Sequence, residues 1–82
     1  MKLNKAFALR VREILKNKKM TQYKLGQETG LYHSTITDIL NCKYKTPNFK
    51  NMALIIRALD ISMSEFFNSE NFNFNKLEIE EK

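Results

Sequence analysis

The sequence predicts an all-α domain: a bundle of five short helices followed by a C-terminal tail. Three observations carry this expectation. Apolar residues recur at helical rather than strand spacing through most of the chain. Residues with good capping side chains stand just ahead of those apolar segments. With only two glycines and one proline in 82 residues, the chain is also too poor in turn formers for a β-sandwich or barrel. The same length leaves room for a single domain.

The first helix is expected over residues 4–18, where Phe7, Val11, Ile14 and Leu15 fall at i, i+4, i+7 and i+8. Lys16, Lys18 and Lys19 stand at its end, where cations suit the negative pole of the helix dipole. Thr21 is a good N-cap for a second helix, Gln22 to Thr29, that stops at Gly30. Lys24 stands where a capping box wants Glu, so that cap is half built. Gly26 inside this helix costs about 1 kcal/mol against alanine, which points to a packing reason for it.

A third helix is expected from Tyr32 to Asn41, with Leu31, Ile36, Ile39 and Leu40 on its apolar side. His33, Ser34, Thr37, Asp38 and Asn41 share the other face. A polar basic loop follows, Cys42 to Pro47. Asn48 caps helix four, whose Phe49, Met52, Ile55, Ile56 and Leu59 are expected to face inward. Ser62 and Glu65 form the capping box of helix five, from Met63 to about Asn68, with Ile61 and Phe66 placed as its hydrophobic staple. The helical bundle thus occupies residues 1–68. In 69–82, Asn71-Phe72-Asn73-Phe74 and Leu77-Glu78-Ile79-Glu80 alternate with period two, a strand pattern. A frayed, disordered terminus and a dimerisation arm are the two readings of this tail. The methionines read as core filler.

Charge is uneven along the chain. Residues 1–50 hold eleven Lys/Arg against Glu13, Glu28 and Asp38, a net of +8; residues 51–82 hold three against six, a net of −3. A basic front and an acidic back suit a polyanion on one side and protein contacts on the other. Several functions are excluded by composition. One Cys and one His cannot build a disulfide framework or a tetrahedral zinc site. The longest apolar run, Met52 to Ile56, is far short of the roughly 20 residues that cross a bilayer, and Arg10 and Arg12 interrupt any signal-peptide core. No paired carboxylates, nucleophile–base set or phosphate-binding glycine loop points to an enzyme. The expectation is a cytoplasmic binding module with no cofactor, no membrane and no small-molecule substrate.

Gln22 to Asn41 meets the four requirements of a helix-turn-helix. Gly26 permits close approach of the second helix. Gly30 supplies the positive φ of the turn. Leu25, Leu31, Ile36 and Ile39 lock the pair to the core, and the outward face of helix three carries short hydrogen-bonding side chains able to reach base edges. The stretch Met20-Thr21-Gln22-Tyr23-Lys24-Leu25-Gly26-Gln27-Glu28-Thr29-Gly30-Leu31, with Ser34 to Ile39, resembles the Cro/phage-repressor-like (XRE) helix-turn-helix family. Lys43 to Pro47, Ala58 to Ser62, and Glu65-Phe66-Phe67 continue the resemblance in register over roughly residues 7–68. It implies a five-helix lambda-repressor-like DNA-binding bundle, with the helix-turn-helix formed by helices two and three.

The resemblance also implies site residues. Bases would meet His33, Ser34 and Thr35, with Thr37 and Asp38 further along. Phosphates would meet Gln22 and the loop residues Lys43, Tyr44 and Lys45. Tyr32, where the family usually caps with Ser or Thr, joins the phosphate set. Cys42 and Asp60 replace common glycines. Leu40 replaces a usual Glu often paired with an Arg on helix one, which here offers Leu15.

The function expected is sequence-specific binding of double-stranded DNA, with transcription regulated, as a repressor, by a homodimer. The dimer surface is expected on the acidic back: Leu54, which falls off the buried stripe of helix four, Phe66 and Phe67, which cannot easily both point inward, and Phe72, Phe74, Leu77 and Ile79 in the tail. The alternative is a protein-interaction module, antitoxin-like or adaptor, from which salt-sensitive affinity for duplex DNA distinguishes the first reading.

Overall fold

Local signals set the helix ends. In the computed structural model, which describes residues 1–79, five α-helices follow one another: α1 (Leu3–Lys18), α2 (Gln22–Thr29), α3 (His33–Leu40), α4 (Phe49–Ala58) and α5 (Met63–Phe67). Three caps are made as the sequence leads one to expect. Thr21 Oγ1 accepts from Lys24 N–H, Asn48 Oδ1 from Asn51 N–H, and Ser62 Oγ from Glu65 N–H. Helix α2 stops at Gly30, whose φ of 75° is the left-handed conformation that releases the chain into α3. Helix α3 is one residue shorter at each end than expected. Tyr32 is its N-cap but makes no side-chain capping bond.

The core is continuous across the bundle. Phe7, Val11, Ile14 and Leu15 of α1 meet Leu25, Ile36, Ile39 and Leu40 of the helix-turn-helix, and Ile55, Ile56, Leu59 and Phe66 close it from behind. Leu15 and Leu40 are both buried, consistent with apolar packing at the positions where the family resemblance implied an ion pair. Two inward assignments are corrected. Phe49 is 65% exposed, because it occupies the first helical position after Asn48 and faces outward there. Met63 is also exposed, whereas Met20 and Met52 pack against the core.

The larger correction concerns the tail. No strand forms among the described residues; 3-10 turns at Glu70–Phe72 and Phe74–Lys76 replace it. The reason is chemical. Ser69 and Asn73 each cap the turn that follows, accepting from the N–H two residues on. Phe72 then drops against α5, its ring centroid 4.9 Å from Phe67 and 5.9 Å from Phe66. Beyond it the chain reaches the start of α1. Glu78 N–H donates to the Met1 carbonyl at 2.8 Å, the Met1 ammonium donates to the Lys76 carbonyl at 2.6 Å, and Lys2 and Glu78 form one isolated parallel bridge. Over the described residues the alternating pattern therefore yields a strap rather than a strand. Glu80, part of the second alternating pair, lies outside the described residues.

Arg10 ties this end of the bundle together. Its Nε donates to the Phe66 carbonyl at 2.7 Å and its Nη2 to the Glu65 carbonyl at 2.8 Å, while Nη1 pairs with Glu13. A cation at the C-terminal carbonyls of so short a helix supplies partners the helix cannot supply itself.

Candidate nucleic-acid interface

The site is built on α3 and the loop behind it. Burying Ile36, Ile39 and Leu40 forces the other side of α3 outward, and His33, Ser34 and Thr37 are exposed there. Gln22, at the first position of α2, reaches across the pair: its Nε2 donates to Thr37 Oγ1 at 3.1 Å. One bond thus couples a residue expected at phosphate to one expected at a base. Thr35 and Asp38 are only half-buried to the side of this row. Thr35 lines a different recess, shared with Ile39, Tyr44, Pro47, Asn48 and Asn51. The expected reading residues are therefore divided: His33 and Thr37 gather with Gln22, while Thr35 turns toward the loop.

The basic loop is held rather than loose. Lys43 N–H donates to the Asp38 carbonyl at 2.9 Å, and Cys42 adopts φ 60°, the left-handed conformation that favours glycine. Helix α1 fastens it from below. Arg12 Nη2 donates to the Leu40 carbonyl and to Asn41 Oδ1, both at 3.2 Å, and Asn4 Nδ2 donates to the Tyr44 carbonyl at 2.8 Å. Tyr44 O–H in turn donates to Asp38 Oδ2 at 3.4 Å, occupying one carboxylate oxygen on the reading side. Lys43 and Lys45 are left exposed at the end of α3, and Tyr32 is 83% exposed at its start.

Sequence reasoning missed three participants: Asn4, Arg12 and Tyr23. The first two act through the fold, with no local motif to reveal them. Tyr23 is 62% exposed yet stacks on His33, ring centroids 4.6 Å apart and planes within 6°. Gly26 explains itself here as well. A Cβ on it would lie 2.6 Å from His33 Nδ1, so the close approach it permits is that of the histidine ring.

Of the residues expected at a dimer surface, Phe66 is corrected: it is fully buried, 5.1 Å from Phe7, and serves the core of its own chain. Phe67, packed edge-on against Phe66, keeps 38% exposure. Leu54, Phe72 and Leu77 are half-buried, while Phe74 and Ile79 are exposed. No helix among the described residues is long and apolar enough to cross a membrane.

A family model described as the Cro/C1-type helix-turn-helix DNA-binding domain matches residues 10–71. No curated protein and no solved structure matches the chain.

Proposed function

Because the chain belongs to the Cro/C1-type helix-turn-helix DNA-binding domain family, we propose that it is a sequence-specific transcriptional regulator. In this reading it acts in the cytoplasm as a homodimeric repressor. The observation that carries the reading is one continuous surface: His33, Ser34 and Thr37 exposed along α3, Gln22 bonded to Thr37, and Lys43 and Lys45 at the helix's far end. Short hydroxyl and imidazole groups suit base edges in the major groove, and the lysines suit the phosphates that flank it. Gln22 and Tyr32 at the near end, and Tyr44 with the lysines, complete the phosphate set. Thr35 and Asp38 take the margins of the base-reading row.

One such unit reads only a few base pairs. A two-fold dimer doubles the site and sets its halves roughly 34 Å apart along the duplex. Phe67, Phe74 and Ile79 are the apolar groups best placed for that contact, with Leu54, Phe72 and Leu77 at its edges. Repression requires only that the bound dimer occupy a promoter.

Selection of bound duplexes from a random pool, followed by titration at several salt concentrations, tests the proposal. The expected result is one enriched motif with two related half-sites and an affinity that falls steeply with salt. Absence of any enriched sequence, with salt-insensitive binding, would overturn it and favour the protein-interaction alternative.

A further inference from the structure

Tyr23 is a large aromatic side chain that the fold does not bury. Its structural relationship of note is the stack on His33: near-parallel rings whose 4.6 Å centroid separation is that of an offset stack. His33 thus has one ring face against Tyr23 and its Nδ1–Cε1 edge turned toward the space that a side chain on Gly26 would fill. Tilting the ring would break the stack, so the imidazole keeps this plane, and in the structure its Nδ1 edge is the one turned toward Gly26. With the Nδ1 edge turned toward Gly26, Nε2 is the nitrogen left available to a partner. A recess of about 210 Å³ opens beside it, lined by Gln22, Tyr23, His33, Ile36 and Thr37.

We infer that Tyr23 is a positioning residue for base recognition: it stacks on His33 and fixes Nε2 as a hydrogen-bond donor aimed at a guanine acceptor, N7 or O6, in the major groove. The inference rests on the DNA-binding reading above and adds to it a base preference set by a residue that itself touches no base. With its proton on Nε2, the neutral ring presents a donor there. Fixing the ring before DNA arrives removes the ordering cost of an otherwise rotating side chain.

The test is a double-mutant cycle on a duplex obtained by selection, with Tyr23→Ala, Tyr23→Phe, His33→Ala and the double Tyr23→Ala/His33→Ala variant. Thermal unfolding of each variant verifies that it is folded, as the exposure of both side chains leads one to expect. Tyr23→Ala and His33→Ala should each lower specific affinity about tenfold and flatten the preference for guanine at the same base pair. The double variant should lose no more than His33→Ala alone. Tyr23→Phe, which keeps the stack and lacks the hydroxyl, should stay within about twofold of the native chain. Replacing that guanine by 7-deazaguanine, which lacks N7, or by 2-aminopurine, which lacks O6, should reduce native binding for the acceptor that His33 uses but leave His33→Ala unaffected, whereas inosine, which keeps both, should bind as guanine does. Losses that multiply in the double variant would mean that Tyr23 meets DNA itself, and an unaffected Tyr23→Ala would mean that the stack positions nothing. Either result overturns the inference while the DNA-binding reading stands, provided Ser34→Ala/Thr37→Ala still weakens binding. If that variant too binds as the native chain does, the reading face and the inference fall together.

Discussion

Replacing Arg10 with methionine keeps most of the aliphatic stem and deletes the guanidinium that holds the end of α5. Its side chain is 14% exposed and Glu13's is 53%. The bond to the Phe66 carbonyl is part-buried, whereas those to the Glu65 carbonyl and Glu13 are exposed to water. A charge-assisted bond to a partly buried carbonyl contributes about 1.5–2 kcal/mol. The two exposed interactions together add about 0.5 kcal/mol, since water replaces them well. The expected loss is therefore about 2 kcal/mol, a fall in Tm of roughly 8–16 °C for a domain of this size. Thermal and urea unfolding followed by circular dichroism measure it. Glu13→Gln in parallel should cost less than about 0.5 kcal/mol, which isolates the carbonyl bonds as the source. A Tm for Arg10→Met within about 2–3 °C of the native value, by the same scale, would refute the claim that α5 depends on this cation.

Four further outcomes are expected. Ser34→Ala with Thr37→Ala should weaken specific DNA binding by roughly 1–3 kcal/mol for each base-edge hydrogen bond removed while unfolding at nearly the native temperature, as fluorescence anisotropy beside calorimetry would show. Lys43→Gln with Lys45→Gln should weaken specific and non-specific binding alike and reduce the slope of log K against log salt by about 0.9 per phosphate contact; an unchanged slope would place the loop away from the backbone. Lys19, exposed at φ 56° after α1, sits in a conformation that costs an L-residue about 1–2 kcal/mol. Its replacement by glycine should raise stability by about 0.5–1 kcal/mol after the added freedom of the unfolded chain is deducted, readable in urea midpoints. Under the proposed homodimer, Phe74→Ser with Ile79→Ser should shift sedimentation from dimer to monomer while the monomer still unfolds cooperatively, because both side chains are exposed in the single chain; a dimer that persists would move the interface elsewhere.

What the chain discloses before it folds depends on how local the cause is. The bounds of α2 are readable because Thr21 and Gly30 act within one turn of their own positions. The left-handed conformations at Cys42 and Asp60, both φ 60°, stand where the family resemblance implied glycine, the residue that adopts this shape without strain. Phe66 and Phe67 illustrate the opposite case. In a five-residue helix, periodicity cannot decide which of two adjacent phenylalanines goes in, and the decision falls to Phe7 across the core. The tail's alternation misleads for a related reason: a strand needs a neighbour along its length, and the described residues pair only at the single Lys2–Glu78 bridge, so Ser69 and Asn73 turn the chain instead. On the reading face, the row Ser34 and Thr37 follows from helical spacing. The Tyr23–His33 stack does not, since ten residues and a turn separate the two rings and only the crossing of α2 with α3 brings them together.

The strap between Met1 and Glu78 has a kinetic consequence. Its bonds join residues 75 or more apart in sequence, whereas the helix-turn-helix closes over fewer than twenty. Closing the longer loop sacrifices more chain entropy for a few exposed bonds, so that closure belongs late in folding and opens first under native conditions. Amide protons at Glu78 and at the start of α1 should then exchange together, well before those of Leu25 or Ile36. On this ordering the reading helix keeps its protection while the seam between Met1 and Glu78 opens.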